Sequence, residues 1–115
     1  MIAIKGVDTA IGLASTAHNE ALYLTMLGIF RDDEREFACR FRSLVSRCRL
    51  EEARQIAVDL RNAAGTLGAI DLASHAALLE SALKRKVELA FLDSYVGAVE
   101  RSLTPVMADL DRVLG

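Results

Sequence analysis

The apolar residues of this chain recur every three or four positions over long stretches, and this spacing constrains the fold more than any other feature. After Asn19, which can cap a helix, one such stretch keeps a single helical face in phase over about 28 residues. Its apolar positions are Tyr23, Leu27, Phe30, Phe37, Phe41, Leu44 and Cys48. The polar block at 31–36 interrupts the composition but not the phase. The pattern predicts one long helix, with a break allowed between Arg31 and Glu34.

Two more helices are predicted to follow, joined by a connection so short that they must run antiparallel. The first covers Glu51 to Leu67 and closes at Gly68, which suits the left-handed conformation that ends many helices. Its inward residues are Ala53, Ile56, Leu60, Ala63 or Ala64, and Leu67. Asp71 is expected to cap the second helix. The inward residues of that helix are Leu72, Ala76, Leu79 and Leu83.

A final helix is predicted from Ala90 to Leu114, and Pro105 is expected to kink it because proline removes one backbone donor. At the start of the chain, Asp8 can cap a short helix from Thr9 to Ala14, while residues 1–5 are expected to be loosely held. Long amphipathic helices with short connections favour an all-α fold, namely an antiparallel four-helix bundle with a short extra N-terminal helix. At 115 residues the chain is expected to form one domain, residues 1–115.

Charge and composition argue against several classes of protein. The formal charge is 14 − 16 = −2, which gives no electrostatic reason to expect nucleic-acid binding. No apolar run reaches about 18 residues, so no membrane span is expected, and the N-terminus lacks the build of a signal peptide. Cys39 and Cys48 lie nine residues apart, which is not a metal or redox spacing. We expect a cytoplasmic monomer with two reduced thiols, no metal and no cofactor.

The helix predicted over Glu51 to Leu67 has an unusual face opposite Ile56 and Leu60. This face comprises Arg54, Val58, Arg61, Asn62 and Gly65. A glycine inside a helix costs about 1 kcal/mol relative to alanine, so close approach of a partner is one explanation for Gly65. The other is that Gly65 lies near the helix end, where fraying reduces that cost. An isolated surface valine is common, and both interpretations of this face stay open.

Three segments occur in an order and spacing that resemble one family. They are ALYLTMLGIF (21–30), AVDLRNAAGTLGA (57–69) and LLESAL (78–83). The chain resembles the histidine-containing phosphotransfer (HPt) domains of bacterial and fungal phosphorelays, whose motif is approximately Ala-His-x-Leu-Lys-Gly-x-x-x-x-Leu-Gly-Ala on a helix of a four-helix bundle. Along this motif the chain has Ala57, Val58, Asp59, Leu60, Arg61 and Asn62, then Gly65, Leu67, Gly68 and Ala69, with Asp59 and Gly65 at positions that the motif leaves open. The resemblance covers roughly residues 6–86.

Two departures from the family motif bear on function. The phosphoacceptor histidine of the family falls at Val58, and the glycine that leaves room for the partner falls at Asn62. The resemblance implies that Arg61 lies where a basic residue pairs with phosphoryl oxygens. It also implies a response-regulator receiver domain or a hybrid sensor kinase as the partner. Because valine has no nucleophile, we expect a degenerate signalling module that binds such a partner without carrying phosphate, and no enzyme activity. The implied docking residues are Arg54, Val58, Arg61, Asn62 and Gly65.

Two alternatives stay open. The first is a working phosphotransfer protein that uses His75 as the phosphoacceptor. His75 lies at the edge of an apolar stripe, and its predicted offset from the level of Val58 is about 8 Å along the helix axis. His18 lies near one end of the bundle and is a weaker candidate. The second alternative is a structural or homo-oligomeric helical module.

The acidic residues Asp32, Asp33, Glu34 and Glu36 are expected to form a solvated face.

Overall fold

The computed structural model describes residues 3–115, and the fold is all-helical, as predicted. These residues form six helices, namely α1 (Thr9–Ser15), α2 (Glu20–Glu34), α3 (Phe37–Ser46), α4 (Leu50–Leu67), α5 (Ile70–Lys84) and α6 (Leu89–Leu114). The molecule measures 43 × 24 × 18 Å. Its long dimension matches α6, whose 26 residues span about 39 Å. The helices therefore lie lengthwise in one elongated body.

The helices α2 to α6 pack in a ring, in which α2 and α3 together occupy one side. α4 packs against α5, α5 against α6, α6 against both α2 and α3, and these two pack back against α4. α1 lies outside this ring and contacts α4 and α2. No helix in the described part of the chain is both long enough and apolar enough to cross a membrane.

The N-terminal segment is held more firmly than the sequence suggests. Asp8 and Asn19 cap α1 and α2 as predicted: the Asp8 side chain accepts from two backbone N–H groups, and the Asn19 side chain accepts from the Leu22 N–H. Met1 and Ile2, which were expected to be loosely held, lie outside the described residues. For the residues that follow, the expectation is wrong. Ile4 is buried, and the Lys5 N–H donates to Asp109 Oδ2 at 2.7 Å.

The long helix predicted after Asn19 is divided into α2 and α3. α2 continues through the whole predicted break and ends at Glu34, so the break lies at Arg35 and Glu36. Glu36 leaves the helical region, with φ −101° and ψ 24°. The apolar phase survives because the break is so short. Phe37 and Phe41 are fully buried beyond it and stack with ring centroids 5.7 Å apart.

The predicted antiparallel pair is the hairpin of α4 and α5. Gly68 adopts the predicted left-handed conformation, with φ +97°, and the Ala69 N–H closes α4 by donating to the Ala64 carbonyl at 2.8 Å. The prediction that Asp71 caps α5 is wrong. Because the chain enters α5 directly after Gly68, Ala69 occupies the cap position and Asp71 lies in the first turn. A carboxylate there still favours the positive end of the helix dipole.

The buried faces differ from the predicted ones by a small rotation. Ile56 is only half-buried, whereas Ala57, which was not predicted to face inward, is fully buried. Leu83 on α5 is also half-buried. The core residues of α4 are Ala53, Ala57, Leu60, Ala64 and Leu67. Those of α6 are Leu92, Val96, Val99, Leu103, Val106, Met107 and Leu110.

The C-terminal end of α4 is fixed by α1 and α2. The Tyr23 hydroxyl donates to the Leu67 carbonyl at 2.8 Å, and the Ser15 hydroxyl donates to the Thr66 carbonyl at 2.8 Å. These bonds satisfy carbonyls that a helix end otherwise leaves unpaired. Gly12 permits this packing, because a Cβ there would lie 2.3 Å from Tyr23 Cε1.

Candidate functional site

The face predicted for docking lies on the flank of α4 and not at the centre of its exposed surface. The most exposed positions along the middle of α4 are Gln55, Asp59, Asn62 and Thr66. Of the predicted docking residues, only Asn62 belongs to this exposed stripe. The other four, Arg54, Val58, Arg61 and Gly65, are half-buried. At about 100° per residue, the predicted face is rotated from the exposed one by roughly a quarter turn.

Two of the half-buried docking residues turn toward α5. Arg61 forms a close ion pair with Glu80, and Arg54 Nη1 lies 3.9 Å from the same carboxylate. Lys84 Nζ lies 3.7 Å from it. The Glu80 side chain is only 8% exposed, so these three cations offset the cost of burying its charge.

The ion pair changes the expected role of Arg61. Its guanidinium is engaged with a buried carboxylate and is not a free cation that waits for a phosphoryl group. The side chain is nonetheless 38% exposed, so solvent still reaches part of it. Sequence reasoning missed the pairing role of Glu80. The signal was its position four residues after the inward Ala76, which predicts an inward carboxylate that needs a partner.

The fold requires one of the two glycines of the motif-like segment and not the other. Gly68 is required by the fold, because a Cβ there would lie 2.1 Å from the Asp8 carbonyl oxygen and its φ is positive. Gly65 is not required. The nearest atom to a Cβ at Gly65, among the described residues, is Ala73 Cβ at 3.9 Å, which is an ordinary contact distance. Internal packing therefore explains Gly68 but gives no reason for Gly65.

The two histidines lie apart from the α4 face. His18 is exposed, with φ +62°, in the turn between α1 and α2. His75 is half-buried on α5. Cys39 and Cys48 are exposed free thiols. Within residues 3–115, no three of the His, Cys, Asp and Glu side chains cluster closely enough to hold a metal ion.

A cleft between α2 and α4 was not predicted from the sequence. Its volume is about 410 Å³. It is lined by Met26, Ile29, Phe30, Asp33, Glu34, Asn62, Ala63, Thr66 and Leu67. Its walls are mainly apolar, and Ile29 beside it is 55% exposed.

Glu34 contradicts the expectation that its acidic cluster is a solvated face. It is buried, at 8% exposure, and its Oε2 has no hydrogen-bond partner among the described residues. Arg40 Nη2 lies 3.9 Å from that oxygen, too far to donate a hydrogen bond. Burial raises the pKa of Glu34; the charge of Arg40 opposes this shift, while Asp33 and Asp59 add to it.

Comparison with known proteins assigns no family. No protein-family model, no curated protein and no solved structure matches the chain.

Proposed function

We propose that the chain is a degenerate HPt-like module, which docks on a receiver domain or a sensor kinase of a phosphorelay and carries no phosphate. In this proposal the ring of helices is an HPt-like antiparallel four-helix bundle. α2 and α3 together supply one of its four members, and α1 is the extra N-terminal helix. The docking surface is the α4 flank formed by Arg54, Val58, Arg61, Asn62 and Gly65.

The observation that carries the proposal is Gly65. It lies seven residues, or two helical turns, after Val58, so both share one side of α4. Its missing side chain costs helix stability and gives no packing benefit inside the molecule. Clearance for a partner that approaches this side of α4 explains such a glycine.

The chemistry at Val58 supports docking without transfer. A phosphoacceptor needs a nitrogen lone pair, and valine offers only methyl groups. The half-buried valine instead supplies apolar contact area, which stabilises association when it leaves water. Exposed Asn62 and partly exposed Arg61 add polar groups at the rim of that contact.

The test is a titration of purified receiver domains against the wild-type chain and two matched variants. Asn62→Arg adds bulk and charge within the proposed surface. Thr104→Arg makes the same addition at an exposed position of α6, across the ring from α4. We expect saturable binding of at least one receiver, weakened at least about tenfold by Asn62→Arg and unchanged by Thr104→Arg.

The outcomes separate the alternatives. Absence of binding across a broad receiver panel supports the structural or homo-oligomeric module. Transfer of acid-labile phosphate to the wild type, lost in His75→Ala, supports an active phosphotransfer protein that uses His75.

A further inference from the structure

The cleft between α2 and α4 has the form of a small-molecule site. Its volume of about 410 Å³ falls in the usual range of ligand pockets, about 300–1,000 Å³. Such pockets are mostly apolar with a few polar groups that orient the ligand. Here Met26, Ile29 and Phe30 supply the apolar wall on α2, while Ala63 and Leu67 supply it on α4.

In this cleft, one oxygen of the Glu34 carboxyl group lacks a hydrogen-bond partner in the described part of the chain. Glu34 lines the cleft, its side chain is nine-tenths buried, and Oε2 lacks a hydrogen-bond partner among residues 3–115. Buried polar atoms are nearly always paired, and an unpaired one costs free energy. Oε2 itself has almost no accessible surface, so a ligand would remove that cost by donating to Oε2 after a small rotation of the carboxyl group toward the cleft.

The charges around Glu34 indicate what kind of donor fits. Asp33 lines the same cleft, and Asp59 lies close enough to act on Glu34 electrostatically. The one cation that acts on Glu34 is Arg40, whose side chain is 49% exposed. Two carboxylates therefore act on Glu34 against one arginine, and this excess of negative charge favours a cationic donor over a neutral one.

We propose that the α2–α4 cleft binds a small amphipathic cation, with an ammonium group on Glu34 and an apolar body between Met26, Ile29 and Ala63. An ammonium donates charge-assisted hydrogen bonds, which are stronger than neutral ones. The apolar body removes the walls from water. This binding does not depend on receiver docking, although Asn62 borders both surfaces.

The test uses three probes of similar shape: 2-phenylethylamine, 2-phenylethanol and 3-phenylpropionate. Each is titrated into the ¹⁵N-labelled full chain at pH 7, and amide shifts are followed by NMR. We expect saturable shifts within residues 26–34 and 62–67 with the amine, weaker ones with the alcohol, and none there with the carboxylate.

Two variants distinguish binding of the amine to the Glu34 carboxyl group from a general attraction of the amine to nearby negative charge. Glu34→Gln should weaken amine binding at least about tenfold and leave alcohol binding nearly unchanged, which also shows that the cleft is intact. Glu36→Gln, at a nearby exposed position outside the cleft, should preserve amine binding. Equal shifts from all three probes, shifts confined to another region, or undiminished amine binding in Glu34→Gln would each overturn the proposal.

Discussion

Replacing Gly65 by alanine should make the protein more stable and, under the proposed function, weaken its binding to a receiver domain. An added Cβ meets only Ala73 Cβ at 3.9 Å, so no internal clash offsets the gain in helix propensity. That gain is about 1 kcal/mol in a helix interior. It is reduced here because Gly68 ends the helix three residues later. We expect stabilisation of about 0.5–1 kcal/mol, or a rise in Tm of roughly 2–6 °C.

The assay combines denaturant titration with receiver binding on the same preparations. Gly12→Ala is the matched control, because its Cβ would lie 2.3 Å from Tyr23 Cε1 and 2.5 Å from the Leu67 carbonyl oxygen. This variant should lose stability by about 1–3 kcal/mol. If Gly65→Ala destabilises the chain, the packing argument is wrong. If it stabilises the chain and leaves receiver binding unchanged, Gly65 does not face the partner.

Three further predictions concern stability and can be measured by denaturant titration. Leu60→Ala should cost about 2–5 kcal/mol because Leu60 is fully buried, whereas Val58→Ala should cost much less because Val58 is half-buried; equal losses would contradict the observed helix rotation. Arg61→Met should cost about 1–3 kcal/mol because it removes a partner of the buried Glu80, and adding Glu80→Leu should recover most of that loss; a double variant as unstable as the single one would contradict this account. Burial raises the pKa of Glu34 above its ordinary value of 4.5, so the folded chain binds the Glu34 proton more tightly than the unfolded chain does. The protonated side chain therefore contributes to the free energy of unfolding in full below the ordinary pKa. This contribution is lost as the pH rises through the raised pKa. As the pH rises through that window, the free energy of unfolding of the wild type should therefore fall relative to that of Glu34→Gln. A difference between the two proteins that does not change with pH would refute this prediction.

The sequence predicted the fold class and most helices because their signals are local. The three- and four-residue apolar spacing marks each helix, and Asp8, Asn19 and Gly68 mark ends through their own side chains or conformation. The division between α2 and α3 is harder to locate, because a two-residue break leaves the apolar phase almost unchanged. Asp71 misled the prediction because a good capping residue is also favourable inside the first turn.

The candidate site was less predictable because it depends on contacts between helices. The sequence of its own helix predicts that Arg61 is a surface arginine. Only the placement of α5 beside α4 shows that Arg61 pairs with Glu80. Glu34 sits in a polar run, and its burial depends on how closely α2 packs beside α4. The predicted docking face is rotated because Ala57 faces the core, where the sequence placed the larger Ile56.

If the α4 flank is an altered HPt docking surface, restoring its missing groups should allow phosphotransfer. The double change Val58→His with Asn62→Gly supplies a nucleophile and clearance beside it, at a stability cost of about 1 kcal/mol for the glycine. Radiolabelled phosphate on a receiver panel is the donor, and acid-labile label on the folded variant is the readout. We predict label on the double variant, less on Val58→His alone, and none on the wild type. A folded double variant that accepts no label from any receiver would argue against a docking surface on this flank, and label on the wild type would argue against a module that carries no phosphate.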